Sequence, residues 1–128
     1  MNKFYWIPAV GEPKLIETED SVNTVWHDLM NDSDHHLCFE VVHNLISPDI
    51  VFLVDECGKM KDHEVNHFGS CFYPGTPYGD YIPGDLLVAR IVSVPSEEDG
   101  DVLFFEHDIG SLEQHDIDLI QFYLGEMK

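Results

Sequence analysis

Ile50-Val51-Phe52-Leu53-Val54 is an apolar run with no polar break, rich in β-branched residues. A strand with one wet face alternates apolar and polar side chains. This run does not alternate, so it reads as a central strand buried on both faces. The rest of the chain must therefore supply cover for two sides of a sheet. Two helical stripes are available for that. Val22, Val25, Trp26, Leu29 and Met30 recur at i, i+3, i+4, i+7 and i+8, one face of a helix that Asp20 or Ser21 can cap. Ile117, Ile120, Tyr123, Leu124 and Met127 form the second stripe, on a helix beginning between Ser111 and Gln114. Ser111 with Gln114 fits a capping box, whereas Leu112 against Ile117 makes a hydrophobic staple with Glu113 at the cap. Asp116 is expected in the first turn, where a carboxylate favours the helix dipole.

The remaining strands follow from local pattern. Lys3–Ile7 is aromatic and β-rich, stopped by Pro8, and Lys14–Glu17 returns after the Gly11-Glu12-Pro13 turn. His36–His43 alternates as a strand. Asp55–Gly58 turns the chain, with Gly58 suited to positive φ, into a short strand starting at Lys59-Met60-Lys61. The Pro- and Gly-laden stretch from Phe72 to Gly84 is a long loop, and Leu86–Val92 is another apolar strand. Pro95–Gly100 is an acidic loop, and Val102–Phe105 pairs as the last strand. The order points to an α+β class: an antiparallel-dominated mixed sheet with two helices packed on its faces, as a single domain over residues 1–128.

Charge bounds the function. Asp and Glu number 25 against 6 Lys and Arg, a formal net charge of −19. A chain of this mass folds to roughly 7,000 Å² of surface, so the average is one net charge per ~370 Å², several-fold sparser than duplex DNA. The acids can imitate a polyanion only if they gather. Two stretches free of Lys and Arg do gather them: Glu17, Glu19, Asp20, Asp28, Asp32 and Asp34, and then Ile91 to Met127. Within the second, Glu97, Glu98, Asp99, Asp101, Asp108, Glu113 and Asp118 are the candidate partner-binding residues. The balance argues against direct binding to nucleic acid or anionic lipid, which both need basic side chains. Solubility alone is the bland account of the charge, and salt adaptation fits poorly with so many bulky apolar residues. No run approaches the ~18 apolar residues of a membrane span, and the N-terminal residues lack a signal-peptide pattern. With Cys38, Cys57 and Cys71 read as reduced thiols, a cytoplasmic protein is expected. Whether it is a monomer or a homodimer stays open.

Motifs for chemistry are weak. His35-His36, Cys38-x4-His43 and His63-x3-His67 are the closest histidine and cysteine groupings, and none has the spacing of a zinc site. No metal or cofactor is expected. Nucleophile-elbow, P-loop and dinucleotide patterns are absent. Cys57 beside Asp55 and Glu56 has its thiolate disfavoured by like charge. Asp80 and Asp85, flanking the Gly/Pro/Tyr loop, are the best-placed carboxylates for any activity, but the expectation is a non-enzyme. Tyr73, Tyr78, Asp80 and Tyr81 form a candidate small-ligand loop; the alternative is that Pro and Gly fix the loop's route while the tyrosines close over the core. A phosphate-bearing ligand there would need Arg90, Lys59 and Lys61 to converge. Asn66 is expected to bond local backbone.

Val51–Met60, Val65-Asn66, Cys71–Thr76 and Gly79–Asp85, with the strand Leu86–Ile91 and the Leu112-x4-Ile117 helix start, resemble the DUF3846 domain, a family of small proteins from bacteria, phages and mobile elements. The likeness is best over about residues 50–124. It implies a fold and a genomic setting, not a chemistry. Against that family the chain is longer between Ser93 and Gly110 and more acidic. The combined expectation is a non-enzymatic, acidic anti-defence inhibitor. It would occupy the basic groove of a host nucleic-acid-handling protein, such as a nuclease, restriction complex or CRISPR effector, with carboxylates standing in for phosphates. The alternatives are a small-ligand or nucleotide binder using the Tyr73–Tyr81 loop, and an accessory protein whose charge serves only solubility.

Overall fold

Strand β4 (Ile50–Asp55) is buried at every position, and the strand beside it, β5 (Leu86–Ile91), is buried over its first four residues. A computed structural model describes residues 1–30, 38–61, 63–93, 96–98, 101–103 and 108–126. Around this central pair lie β1 (Asn2–Ile7), β2 (Lys14–Thr18) and β3 (Phe39–Val42), in the order β2-β1-β5-β4-β3. A two-residue strand β8 (Ile109–Gly110) pairs with the end of β5, and every pairing is antiparallel.

Both faces are covered, as the unbroken run in β4 requires. On one face α1 (Val22–Met30) lays Val22, Val25, Trp26 and Met30 over Phe4, Val51, Leu53, Leu87 and Ala89. Ser21 caps it, its Oγ accepting from the Thr24 N–H at 3.4 Å. On the other face α3 (Gln114–Glu126) packs Ile117 and Ile120 with Leu112 onto Tyr5, Phe52, Val54 and Val88. Glu113 takes the cap position and Leu112 and Ile117 share one core, so the staple alternative holds. Asp116 lies in the first turn, and its Oδ2 accepts from the Glu113 N–H at 2.8 Å.

Four local expectations are corrected. Lys59-Met60-Lys61 is no strand: Gly58–Met60 is a 3₁₀ turn, set by the Asp55 carboxylate accepting from the Cys57 N–H at 3.0 Å. Gly58 does not adopt positive φ; a Cβ there would meet Pro83 Cγ at 3.1 Å, so space is what favours glycine. The last strand of the main sheet is β8, because β7 (Asp101–Leu103) pairs only with β6 (Ser96–Glu98) in a separate hairpin. Those two strands also replace part of the acidic loop, while Pro95, Asp99, Gly100, Phe104 and Phe105 lie outside the described residues, as does His36-Leu37 of the strand expected before β3.

A short helix that local pattern did not reveal, α2 (His67–Cys71), precedes the long loop and is capped by Asn66. The Asn66 side chain is 1% exposed: Oδ1 accepts from the Gly69 N–H at 2.9 Å, and Nδ2 donates to Ile7 O at 2.9 Å and Gly84 O at 3.0 Å. Its role is structural, as expected, but Ile7 is not local. Gly84 holds φ at +77°, a conformation that L side chains rarely adopt. Asn66→Ala strands three buried polar groups, each worth roughly 1–3 kcal/mol when unpaired. We expect a loss of about 3 kcal/mol or more, read from the urea midpoint. Gly69→Ala, whose Cβ would meet Leu86 Cδ2 at 2.6 Å, should cost about 1–3 kcal/mol by overpacking.

Candidate functional site

The register sorts the charged residues by sheet end. Asn2 pairs with Thr18, and its Nδ2 donates to Asp20 O at 2.9 Å, so Glu17, Glu19 and Asp20 sit where β1 begins. That end of β1 lies beside the end of β5, since Tyr5 pairs with Val88. Ile50 also pairs with Arg90 there, which brings in Asp49. Gly110 pairs with Arg90 and Ile109 with Ile91, so the β6–β7 hairpin, with Glu97, Glu98 and Asp101 in its strands, emerges from the same end. Leu112 N–H donates to Lys3 O at 2.8 Å and the Lys3 N–H donates to Ser111 Oγ at 2.8 Å, which starts α3 there with exposed Glu113 and Asp118. The opposite end carries Lys14, Lys59 and Lys61.

The acidic end holds Lys3 and Arg90 as its described cations, and Arg90 is engaged. Its Nη1 lies 2.8 Å from both oxygens of Asp116, a carboxylate 1% exposed, with Glu113 Oε1 at 3.8 Å from Nε. Burial works against the Arg90 charge, and the Asp116 hydrogen bond together with the charges of Asp116, Glu113 and Asp49 outweighs it, leaving the guanidinium above its ordinary value. Of the candidate partner-binding acids, Glu113 and Asp118 are exposed at the start of α3, while Glu97, Glu98 and Asp101 belong to the strands of the β6–β7 hairpin. Asp99 lies outside the described residues. Asp108 is withdrawn from the surface: it is 2% exposed and accepts from Ser93 Oγ at 2.6 Å. A carboxylate turned inward at the hairpin root cannot meet a partner, which corrects its place among the candidates.

At the other end the Tyr73–Tyr81 loop divides. Tyr78 stands 91% exposed on the one-turn 3₁₀ segment Thr76–Tyr78. Tyr73 and Tyr81 instead line a cleft of about 120 Å³, together with Val42, Val54, Ile82 and Pro83 and the charged Glu40, Asp55, Glu56 and Lys59. Asp80 organises the wall. It accepts from Tyr73 OH at 2.8 Å and from the Tyr81 N–H at 2.9 Å, and it ion-pairs with Lys59, whose ammonium lies 5.6 Å from the Tyr81 ring centroid. The Lys59 and Tyr73 hydrogen bonds lower Asp80 from 3.8 to about 2. The same Asp80 bonds raise Lys59 and Tyr73 above their ordinary values.

Behind the cleft, buried Asp55 receives Lys61 Nζ at 3.0 Å and His63 Nε2 at 3.2 Å. Lys59 and Lys61 each face a carboxylate here while Arg90 is at the far end, so the convergence a phosphate ligand would need does not occur. Asp85 turns elsewhere, accepting from the Ala9 N–H at 2.8 Å. His63 precedes α2 and His67 opens it, so their i, i+4 spacing does not span one helix. Among the described residues no three His, Cys, Asp or Glu side chains form a metal-sized group, and no helix is long and apolar enough to cross a membrane. The roles of Lys59, Glu40 and Glu56 in the cleft had no sequence signal, because each comes from a different element. Comparison with known protein families, curated proteins and solved structures returns no match.

Two measurements check this geometry. A depressed carboxylate contributes stability that is present above its unfolded value of about 4 and lost as pH falls through its folded value. The Asp80 contacts should therefore persist at pH 4 and release between about pH 4 and 2, read by ¹³C NMR of the Asp80 carboxyl. Asp116→Ala, which leaves Arg90 half-buried without its partner, should cost about 3 kcal/mol in urea unfolding. Arg90→Leu with Asp116→Leu should recover most of it.

Proposed function

We propose that the protein is a non-enzymatic binding protein that presents the acidic end of its sheet to a basic surface of a nucleic-acid-handling protein, taking the place of a polyanion. One observation carries the reading: strand register brings Glu17, Glu19 and Asp20 of one Lys- and Arg-free stretch and Glu113 and Asp118 of the other, far apart in the chain, to one end of the sheet, while three lysines lie at the other. Carboxylates so gathered accept charge-assisted hydrogen bonds from Arg and Lys. They also steer a basic partner over the ~8 Å that physiological salt leaves unscreened. Arg90, the strongest local counter-charge, is held on Asp116 and neutralises little of that end. The DUF3846-like stretch adds the setting of a phage or mobile element, in which such an inhibitor acts on a host nuclease, restriction complex or CRISPR effector.

Affinity capture from bacterial lysate, at low and at physiological salt and with duplex DNA as competitor, tests it. Captured proteins should be nucleic-acid binders, released by the competitor and by salt. Glu17→Gln, Glu19→Gln, Glu113→Gln and Asp118→Asn together should abolish capture. The same number of neutral substitutions at Glu12, Glu40, Glu56 and Glu64 should leave it intact. Capture indifferent to salt and competitor, or lost equally in both variants, would reduce the charge to a solubility device.

A further inference from the structure

We propose that the cleft between the end of β4 and the Tyr73–Tyr81 loop binds a small organic cation, an ammonium group on a short apolar stem. This site lies at the opposite end of the sheet from the acidic surface and stands apart from that reading.

Three features of the lining converge on this ligand. The floor is apolar: Val54 and Ile82 are 4% and 3% exposed, beside Val42 and Pro83. Its volume of about 120 Å³ is close to the ~150 Å³ that accommodates benzene, so a stem of roughly four to six carbons fits. The wall offers Tyr81, whose ring already holds the Lys59 ammonium at 5.6 Å and so sits in an environment that accepts positive charge.

The rim sets the sign. Glu40, Asp55 and Glu56 line the cleft with Lys59, but the Asp55 side chain is 0% exposed, so its carboxylate lies behind the rim. Asp55 is held by Lys61 and His63, and Lys59 is taken by Asp80, which lies behind the wall. Glu40 and Glu56 are exposed and have no ion-pair partner among the described residues. An anion entering the cleft would meet both; a neutral apolar molecule would fill the floor and leave both unanswered. A cation with an apolar stem satisfies floor and rim together.

The test is a ¹H–¹⁵N NMR titration of the full chain with n-butylammonium, n-butanol and butyrate. Butylammonium should shift the amides of Val54, Cys57, Tyr81 and Ile82 saturably, with butanol at least tenfold weaker and butyrate without effect. Glu40→Gln with Glu56→Gln should weaken butylammonium at least tenfold while the melting temperature holds. Tyr81→Leu, at a residue 39% exposed, gives a second readout in the same direction. A butanol or butyrate affinity within tenfold of butylammonium overturns the proposal, as does a double variant that binds within tenfold of the parent. Shifts of equal size at Glu17, Glu19 and Glu113 also overturn it, because they mark diffuse attraction of a counter-ion to any acidic surface.

Discussion

Asn66 uses nearly all of its hydrogen-bonding capacity inside the protein. Its side chain joins Ile7 O, Gly84 O and the Gly69 N–H, while its backbone N–H donates to Ile82 O and its carbonyl accepts from Ser70. The exit of β1, the approach to β5 and the first turn of α2 are thereby fixed to one residue. Ser70 extends the tie, its Oγ accepting from the Ile82 N–H at 2.9 Å. The loop's own backbone bonds are short-range turns such as Thr76 N–H to Tyr73 O and Tyr78 N–H to Gly75 O, so the Asn66 and Ser70 bonds tie its two ends to the rest of the fold. They bring Tyr73 and Tyr81 over the open end of β4, and the cleft exists because that closure leaves Val54 floored but not filled.

The cations are distributed on a related principle. Lys61 and Arg90 face carboxylates, Asp55 and Asp116, whose side chains are 0% and 1% exposed, and Lys59 faces half-buried Asp80. A carboxylate taken out of water without a partner is expensive, so positive charge is most needed where acids are buried. With few Lys and Arg available, that placement leaves exposed acids such as Glu17 and Glu19 uncompensated. Exposed acids are thereby left short of counter-charge, and strand register gathers Glu17, Glu19 and Asp118 among them, with Glu113, at one end.

Elements whose information is local were legible in the sequence. The unbroken run of β4 demanded cover on both faces, and the stripes of α1 and α3 supplied it; Leu112 and Ile117 marked the start of α3 within a residue. What failed was decided by partners distant in the chain. Lys59-Met60-Lys61 looks extendable until buried Asp55 captures the Cys57 N–H, Lys61 and His63 and folds the segment back. Asp108 is indistinguishable in sequence from its acidic neighbours, and what separates it from them is its burial and the Ser93 hydroxyl at 2.6 Å. Tyr73, Tyr78 and Tyr81 read as one group, yet Asp80 engages the Tyr73 hydroxyl and the Tyr81 backbone and leaves Tyr78 in water.

The polyanion-decoy role proposed above needs more than negative charge, because carboxylates on mobile supports give back in ordering entropy much of what they gain in attraction. The start of α3 meets that requirement. Lys3 holds Ser111 and Leu112 through its backbone, Asp116 closes the first turn on Glu113 N–H, and Arg90 clamps the same carboxylate to β5. Glu113 and Asp118 are therefore carried on a helix end fixed to the central sheet from two sides. Arg90 costs the surface a little of its charge through Glu113 at 3.8 Å, and in return sets the spacing at which the remaining acids are presented. A side chain that reads as the lone arginine in an acidic chain acts here as the support for the acids around it.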